Sequence, residues 1–367
     1  MIPVSSFNNQ RVALFGLGGS GLATAQALAM GGAEVVAWDD NPASVEKAKA
    51  QNINCIDLRN ADWSDLAALV LAPGVPLTHP APHWTVALAH ENDVPIIGDV
   101  ELFQRALKAS GTNAKLIAIT GTNGKSTTTA LTAHMLKTAG LYVQMGGNIG
   151  TAVLLLDPPK DNMVNVVECS SYQFDLAPGL SPDVGMLLNL TPDHLDRHGT
   201  MENYAEVKSR LVAKSQQAII STDDTYCHQI IDQLTGKTQV QQISTRNPVS
   251  RGFWADTGRI TKCDADGQTS LANLKTALAL PGNHNAQNAL AACAACVAVG
   301  LDADDIQRIP KLPMRMRLRP HFPVLTKSIG YWAALQSLAG LSLWRPYLAI
   351  SRRLISLVKP HRISLAL

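Results

Sequence analysis

Acidic residues run out well before this chain does. The last is Asp305, and the stretch from Lys311 onward holds ten Lys and Arg with no Asp or Glu. Setting those ten aside leaves 21 basic against 29 acidic residues, so the first 310 positions carry about −8. An acidic, soluble body therefore meets a basic, leucine-rich tail. Cysteine is also sparse: six, at 55, 169, 227, 263, 293 and 296. That scatter excludes a disulfide-stapled secreted scaffold and points to reduced thiols. Cys293 and Cys296 form a CxxC, but inside an alanine-rich helical stretch, where they read as small packing residues. The opening residues lack a basic segment followed by an apolar one, so no export signal is expected. Residues 329–344 are marginal in length for a membrane span and are interrupted by Gln336 and Ser337. What remains is a cytoplasmic globular protein of 367 residues, long enough for two or three domains.

The most informative stretch is 115–127. A β-branched apolar run turns through Gly121-Thr122-Asn123-Gly124-Lys125-Ser126-Thr127 into an Ala/Thr/Leu helix. Such a turn points backbone N–H groups and a helix N-terminus at one spot, where phosphate oxygens are the natural guests. Lys125 adds a charge for the β/γ-phosphates of ATP, and the Ser126 hydroxyl suits Mg²⁺. Ile119 stands where the usual phosphate loop has its first glycine, so the loop is a shortened variant.

An earlier strand, 11–15, runs into Gly16-Leu17-Gly18-Gly19-Ser20-Gly21 and a helix, and a second strand ends at Asp39 about 20 residues on. Alone, this pattern fits NAD or any nucleotide diphosphate. From 115 to about 310, short apolar runs alternate with helical stretches, which predicts a doubly wound, mostly parallel sheet. Ligands of such sheets sit beyond the carboxyl ends of the strands. Glu168 ends one strand and suits a Mg²⁺ shared with Ser126 and the ATP phosphates. His194 follows another strand end. Asp193, Asp196 and Arg197 read as supporting salt-bridge residues. Asn285 and Asn288 fit either helix caps or readers of an adenine edge.

Together these segments resemble the Mur ligase family, the ATP-dependent amide ligases of peptidoglycan precursor assembly, and in particular its D-glutamate-adding branch. The resemblance is carried in order by the GLGGSG turn, 71–75, 97–103, Thr120 to Thr127, Gly146-Gly147-Asn148-Ile149-Gly150, Glu168-Cys169-Ser170-Ser171-Tyr172-Gln173, Asn189 to Arg197, Tyr204 to Arg210, and Pro281 to Asn288. It implies a Rossmann-like domain over 1–110 that binds UDP-N-acetylmuramoyl-L-alanine, with Gly16, Gly18, Ser20, Gly21, Asp39, Pro73 and Gly74 as contacts. It further implies a central ATP-binding domain over 111–310, with Asn148 and His194 near the substrate. Catalysis falls to Lys125, His194 and Lys208, with Lys208 carbamylated by CO₂. Ser126, Glu168, His194 and the Lys208 carbamate are the implied Mg²⁺ ligands. The implied reaction joins D-glutamate through an acyl phosphate, in a monomer without nucleic-acid or membrane partners.

A complete member of the family continues into a third Rossmann-like domain, on the order of 100–150 residues. Here Leu312-Pro313-Met314-Arg315 stands where Leu-Pro-His-Arg is expected, and no strand–Gly–helix unit follows. The abrupt loss of acidic residues favours an out-of-frame translation of that domain. The competing reading of 311–367 is a basic amphipathic element for a membrane surface, with Trp332 and Trp344. The segment is expected to be disordered or weakly helical. Without a closing domain the acyl phosphate is left open to water, so a nucleotide-binding remnant without ligase activity is the alternative function. An NAD-dependent oxidoreductase accounts for the first glycine turn alone.

Overall fold

Short apolar runs separated by glycine turns and amphipathic stretches build two sheets. The computed structural model describes residues 1–256, 258–273 and 283–309. The expectations for 311–367, and Pro281 and Gly282 of the adenine-side motif, lie outside the described residues.

The first sheet takes β1 (Arg11–Phe15), α1 (Gly19–Met30), β2 (Glu34–Trp38), α2 (Pro42–Lys49), β3 (Leu66–Leu71), α3 (Trp84–Glu91), β4 (Ile96–Ile97) and α4 (Asp99–Ala109). Its order is β2-β1-β3-β4, all parallel. Strands such as Leu66–Leu71 are apolar throughout because parallel sheets are covered on both faces.

The second sheet takes β5 (Lys115–Thr120), α5 (Lys125–Thr138), β6 (Tyr142–Gly147), β7 (Met163–Glu168), α6 (Ser171–Asp175), β8 (Val184–Leu187), α7 (Leu195–His198), α8 (Met201–Ala213), β9 (Gln217–Ser221), α9 (Thr225–Leu234), β10 (Gln239–Ser244), β11 (Gly252–Asp256), β12 (Arg259–Asp264) and β13 (Gly267–Asn273), followed by α10 (Asn283–Ala298) and α11 (Ala303–Arg308). The order is β13-β12-β11-β10-β9-β8-β5-β7-β6. It is parallel from β6 to β11, and β11-β12-β13 add an antiparallel edge. The doubly wound, mostly parallel expectation therefore holds, with two edge hairpin pairings that the alternation did not announce.

Strand β5 lies between β7 and β8, with Ile119 opposite Glu168 and Thr120 opposite Leu187. Three strand ends are thus level, and the loops after them leave from one edge. The side chains of β5 alternate between two cores with the period of a strand. Leu116 and Ala118 join the core containing α1 and α4, while Ile117 and Ile119 join the one built on α10. Cys293 and Cys296 are fully buried in the latter, and burial raises both thiols, Cys293 to about 12. They are packing residues.

Candidate functional site

The loop after β5 is shaped by two glycines with positive φ, Gly121 at +150° and Gly124 at +82°. At Gly124 a Cβ would lie 2.3 Å from Asn288 Oδ1, and at Gly121 it would lie 3.0 Å from Leu188 Cβ. Helix α5 starts at Lys125, directly behind Gly124, so its unpaired N–H groups face the loop's hollow. The loop is held by the segment after β8. Thr122 N donates to Asn189 O at 2.9 Å, and Asn123 N donates to Asn189 Oδ1 at 2.8 Å. Asn189 Nδ2 donates back to Asn123 O at 3.1 Å and to Gln287 Oε1 at 3.2 Å. Asn288, a candidate for the adenine edge, is buried and accepts from Thr128 Oγ1 at 3.2 Å. Its carboxamide therefore braces α5. Helix α10 also begins at Asn283, so Asn285 and Asn288 sit inside it rather than capping it.

Lys125 Nζ folds back to donate to Gly121 O and Thr122 O, both at 2.9 Å. Desolvation lowers its pKa, opposed by the charges of Glu168 and Asp193. The loop, Asn148 and Glu168 line one open cleft of about 410 Å³. Glu168 is buried; its Oε1 accepts from Asn148 Nδ2 at 2.9 Å, while Oε2 is buried with no hydrogen-bond partner. A buried, unpartnered carboxylate oxygen beside a phosphate loop fits a cation. Among the described residues no three His, Cys, Asp or Glu side chains gather into a metal cage. That donor set suits a hard ion such as Mg²⁺, which takes one or two protein oxygens and completes its shell from phosphates and water.

Neither His194 nor Lys208 lines this cleft. His194 has φ +51°, lies half exposed, sits 3.5 Å from Asp193 and faces the Tyr172 ring at 5.2 Å. Lys208, whose position on a helix reads by default as solvated surface, is instead 2% exposed. Its Nζ donates to Thr120 Oγ1 at 3.0 Å and to Gly121 O at 3.1 Å, beneath the loop. Burial first, and Lys125 second, bring its pKa down to about 7. Sequence reasoning overlooked Asn189, Gln287 and Tyr204 as loop supports. The Tyr204 hydroxyl lies 3.3 Å from Thr122 Oγ1, and its pKa is pushed up to about 12, chiefly by burial. All three fall within motifs quoted for other residues. His198 was also overlooked. It is buried 2.8 Å from Ser171 Oγ, and desolvation holds its pKa down near about 4.

The first glycine turn is built more tightly. A Cβ on Gly21 would lie 1.7 Å from Gly16 O, and one on Gly16 (φ +96°) would lie 2.6 Å from Ala72 Cβ. Gly16, Ser20, Gly21 and Pro73 share a hollow of only about 10 Å³. Nothing stands near the Cβ direction of Gly18. Asp39 Oδ2 accepts from Leu17 N at 2.6 Å, and Oδ1 accepts from Asn41 N at 2.8 Å, so this carboxylate holds the turn in shape. Of the supporting salt bridges expected for Asp193, Asp196 and Arg197, among the described residues Asp193 alone has a basic side chain within ion-pair distance, the His194 ring at 3.5 Å. Arg197 instead donates to the carbonyls of Gly74 and Val75, each at 3.1 Å.

Residues 119–296 match the Mur ligase middle domain. Over 323 residues the chain is 58% identical to the UDP-N-acetylmuramoylalanine–D-glutamate ligase of Rhizobium meliloti (strain 1021), covering 86% of this chain and 70% of that relative. The protein of the same name from Mesorhizobium japonicum is 59% identical over 308 residues, covering 84% of this chain and 66% of its own length. Among solved structures, UDP-N-acetylmuramate:L-alanyl-gamma-D-glutamyl-meso-diaminopimelate ligase from Neisseria meningitides shares the fold. Its TM-score is 0.50 at 21% identity, covering 83% of this chain and 99% of that one.

Proposed function

The chain belongs to the Mur ligase family, and from that premise we propose that it is the ADP-forming ligase that joins D-glutamate to UDP-N-acetylmuramoyl-L-alanine. The observation that carries this reading is the unpartnered Oε2 of Glu168, buried beside a phosphate loop and its lysine. In the first step the substrate's alanyl carboxylate attacks the γ-phosphorus of ATP, and the bond to the β–γ bridging oxygen breaks to release ADP. The amine of D-glutamate then attacks the acyl carbon; a proton leaves the nitrogen, and inorganic phosphate departs.

The loop N–H groups and the α5 N-terminus hold the β- and γ-phosphates, and Lys125 leaves its two loop carbonyls to meet the γ-phosphoryl oxygens. Bound Mg²⁺ neutralises charge on those oxygens, and Ser126 and Glu168 are the residues that would hold it. Lys208 is read as the carbamylated lysine: a neutral amine is what adds to CO₂, and a pKa near about 7 supplies one. Its place behind Gly121 puts the resulting anion under the loop. His194 would need to turn from Tyr172 toward the cleft to reach a shared ligand set.

Residues 1–110 serve as the UDP-substrate domain, through the Gly16–Gly21 turn with Pro73 and Gly74, and 111–310 as the ATP domain. We place the protein in the cytoplasm as a monomer acting on small molecules; among the described residues no helix is long and apolar enough to cross a membrane. The test is ADP release and amide formation with UDP-N-acetylmuramoyl-L-alanine, labelled D-glutamate and ATP. Amide formation should depend on all three substrates, and ADP release on UDP-N-acetylmuramoyl-L-alanine. ADP release indifferent to UDP-N-acetylmuramoyl-L-alanine sinks the ligase reading, and ATP binding without amide formation favours a nucleotide-binding role.

A further inference from the structure

Arginine side chains that hold loops together usually meet a carboxylate, whose two oxygens match the guanidinium fork. Arg197 does not: no carboxylate of the described residues lies within ion-pair distance of it. Its fork reaches more than 120 residues back along the chain, where Nη1 donates to Gly74 O and Nη2 to Val75 O, each at 3.1 Å. Its flat face lies 4.5 Å from the centre of the Tyr172 ring. That ring stacks at 5.7 Å on His198, which Ser171 fixes at 2.8 Å, and it also faces His194 at 5.2 Å. On the other side, the loop that Arg197 grips is pressed against the glycine turn. Ala72 N donates to Phe15 O at 3.0 Å, and the Ala72 Cβ blocks any side chain at Gly16.

We propose that Arg197 is a positioning residue that fixes the spacing between the glycine-turn cradle and the His194 segment, so that one long nucleotide-linked substrate is held at both ends simultaneously. The inference rests on the ligase reading above. Two adjacent backbone carbonyls held by one planar fork set both the distance and the tilt of the loop, which a point charge cannot do. A ligand that spans both surfaces gains from a fixed spacing, because its second contact is then intramolecular and pre-oriented. A ligand that touches the cradle alone gains nothing from it.

The experiment is calorimetric titration of the whole chain with UDP-N-acetylmuramoyl-L-alanine, with UDP and with ATP. Arg197→Ala is expected to weaken the full substrate about tenfold or more, while UDP and ATP change less than about threefold. Arg197→Lys should restore little, since it keeps the charge without the fork. If Arg197→Ala weakens UDP and the full substrate together, or neither, the inference fails. Tyr172→Leu, which removes the ring under the guanidinium, supplies the same contrast should Arg197→Ala not fold; equal effects on both ligands there also overturn the inference. Wild-type protein that binds UDP but holds the full substrate no tighter removes the ligase reading itself, a different result from loss of selectivity in the variants.

Discussion

Two glycine turns in this molecule follow the same plan, a parallel strand entering a helix through glycine-containing segments, yet they are built differently. The turn at 16–21 closes on its own backbone. Gly21 packs on Gly16 O, one carboxylate braces it, and its hollow measures about 10 Å³ with no cation in the lining. The turn at 121–127 is held open by side chains from other elements, borders a cleft of about 410 Å³ and has two lysines on its carbonyls. A self-closed turn offers N–H dipoles and shape, enough to hold a diphosphate that does not react. A turn with mobile charge beside it can follow charge as it develops on a phosphoryl group, which is where rate is gained. Under the proposed function, the difference would separate holding from reacting.

The sharpest way to break the comparison is to remove charge from the second turn. Lys125→Ala and Glu168→Gln should each lower the rate of ADP formation by roughly a thousandfold, with circular dichroism unchanged. A small loss in either would mean that this turn only holds its ligand too. Next come the glycines. Gly21→Ala pushes a methyl into backbone and should lower stability by about 2–3 kcal/mol, seen as a lower urea midpoint. Gly124→Ala meets the end of the Asn288 side chain and a left-handed φ, so its main effect should be about tenfold weaker ATP binding. If the two variants behave alike in both assays, the distinction drawn here is lost.

A third prediction concerns pH. The folded pKa of Lys208 is depressed from 10.5 to about 7, so between those values the unfolded chain binds the extra proton. Stability should therefore rise with pH across that window, and Lys208→Met should flatten the rise. Below about 7 the amine is protonated and cannot take up CO₂, so activity should fall toward about tenfold per pH unit. An acid limb unchanged by added bicarbonate would remove the carbamate. The smallest effect belongs to the first turn: Asp39→Asn weakens one charged hydrogen bond to Leu17 N and should cost about threefold in UDP-substrate affinity by calorimetry.

The phosphate loop was legible because glycine, lysine and serine have local reasons to follow a strand, and Glu168 because it ends an apolar run. What was not legible depends on partners far along the chain. Nothing around Lys208 says that it is buried, since its cover is β5 and the loop some 87 residues earlier. Asn288 reads as a cap or a base reader, and the room that Gly124, which has no side chain, leaves for it is seen only in the fold. The supporting salt bridge foreseen for Arg197 fails for the same reason, because carbonyls leave no mark in a sequence. Strands β11 to β13 are as long as the others, and their edge position is decided by pairing.

The carbonyl of Gly121 accepts from both Lys125 at 2.9 Å and Lys208 at 3.1 Å. Under the proposed function, nucleotide binding would be an exchange rather than a capture: an incoming phosphate would have to win Lys125 from an acceptor already in place. Were Lys125 to leave, its charge would move away from Lys208, whose pKa it helps to depress, so the arrival of one ligand would be felt at a second amine.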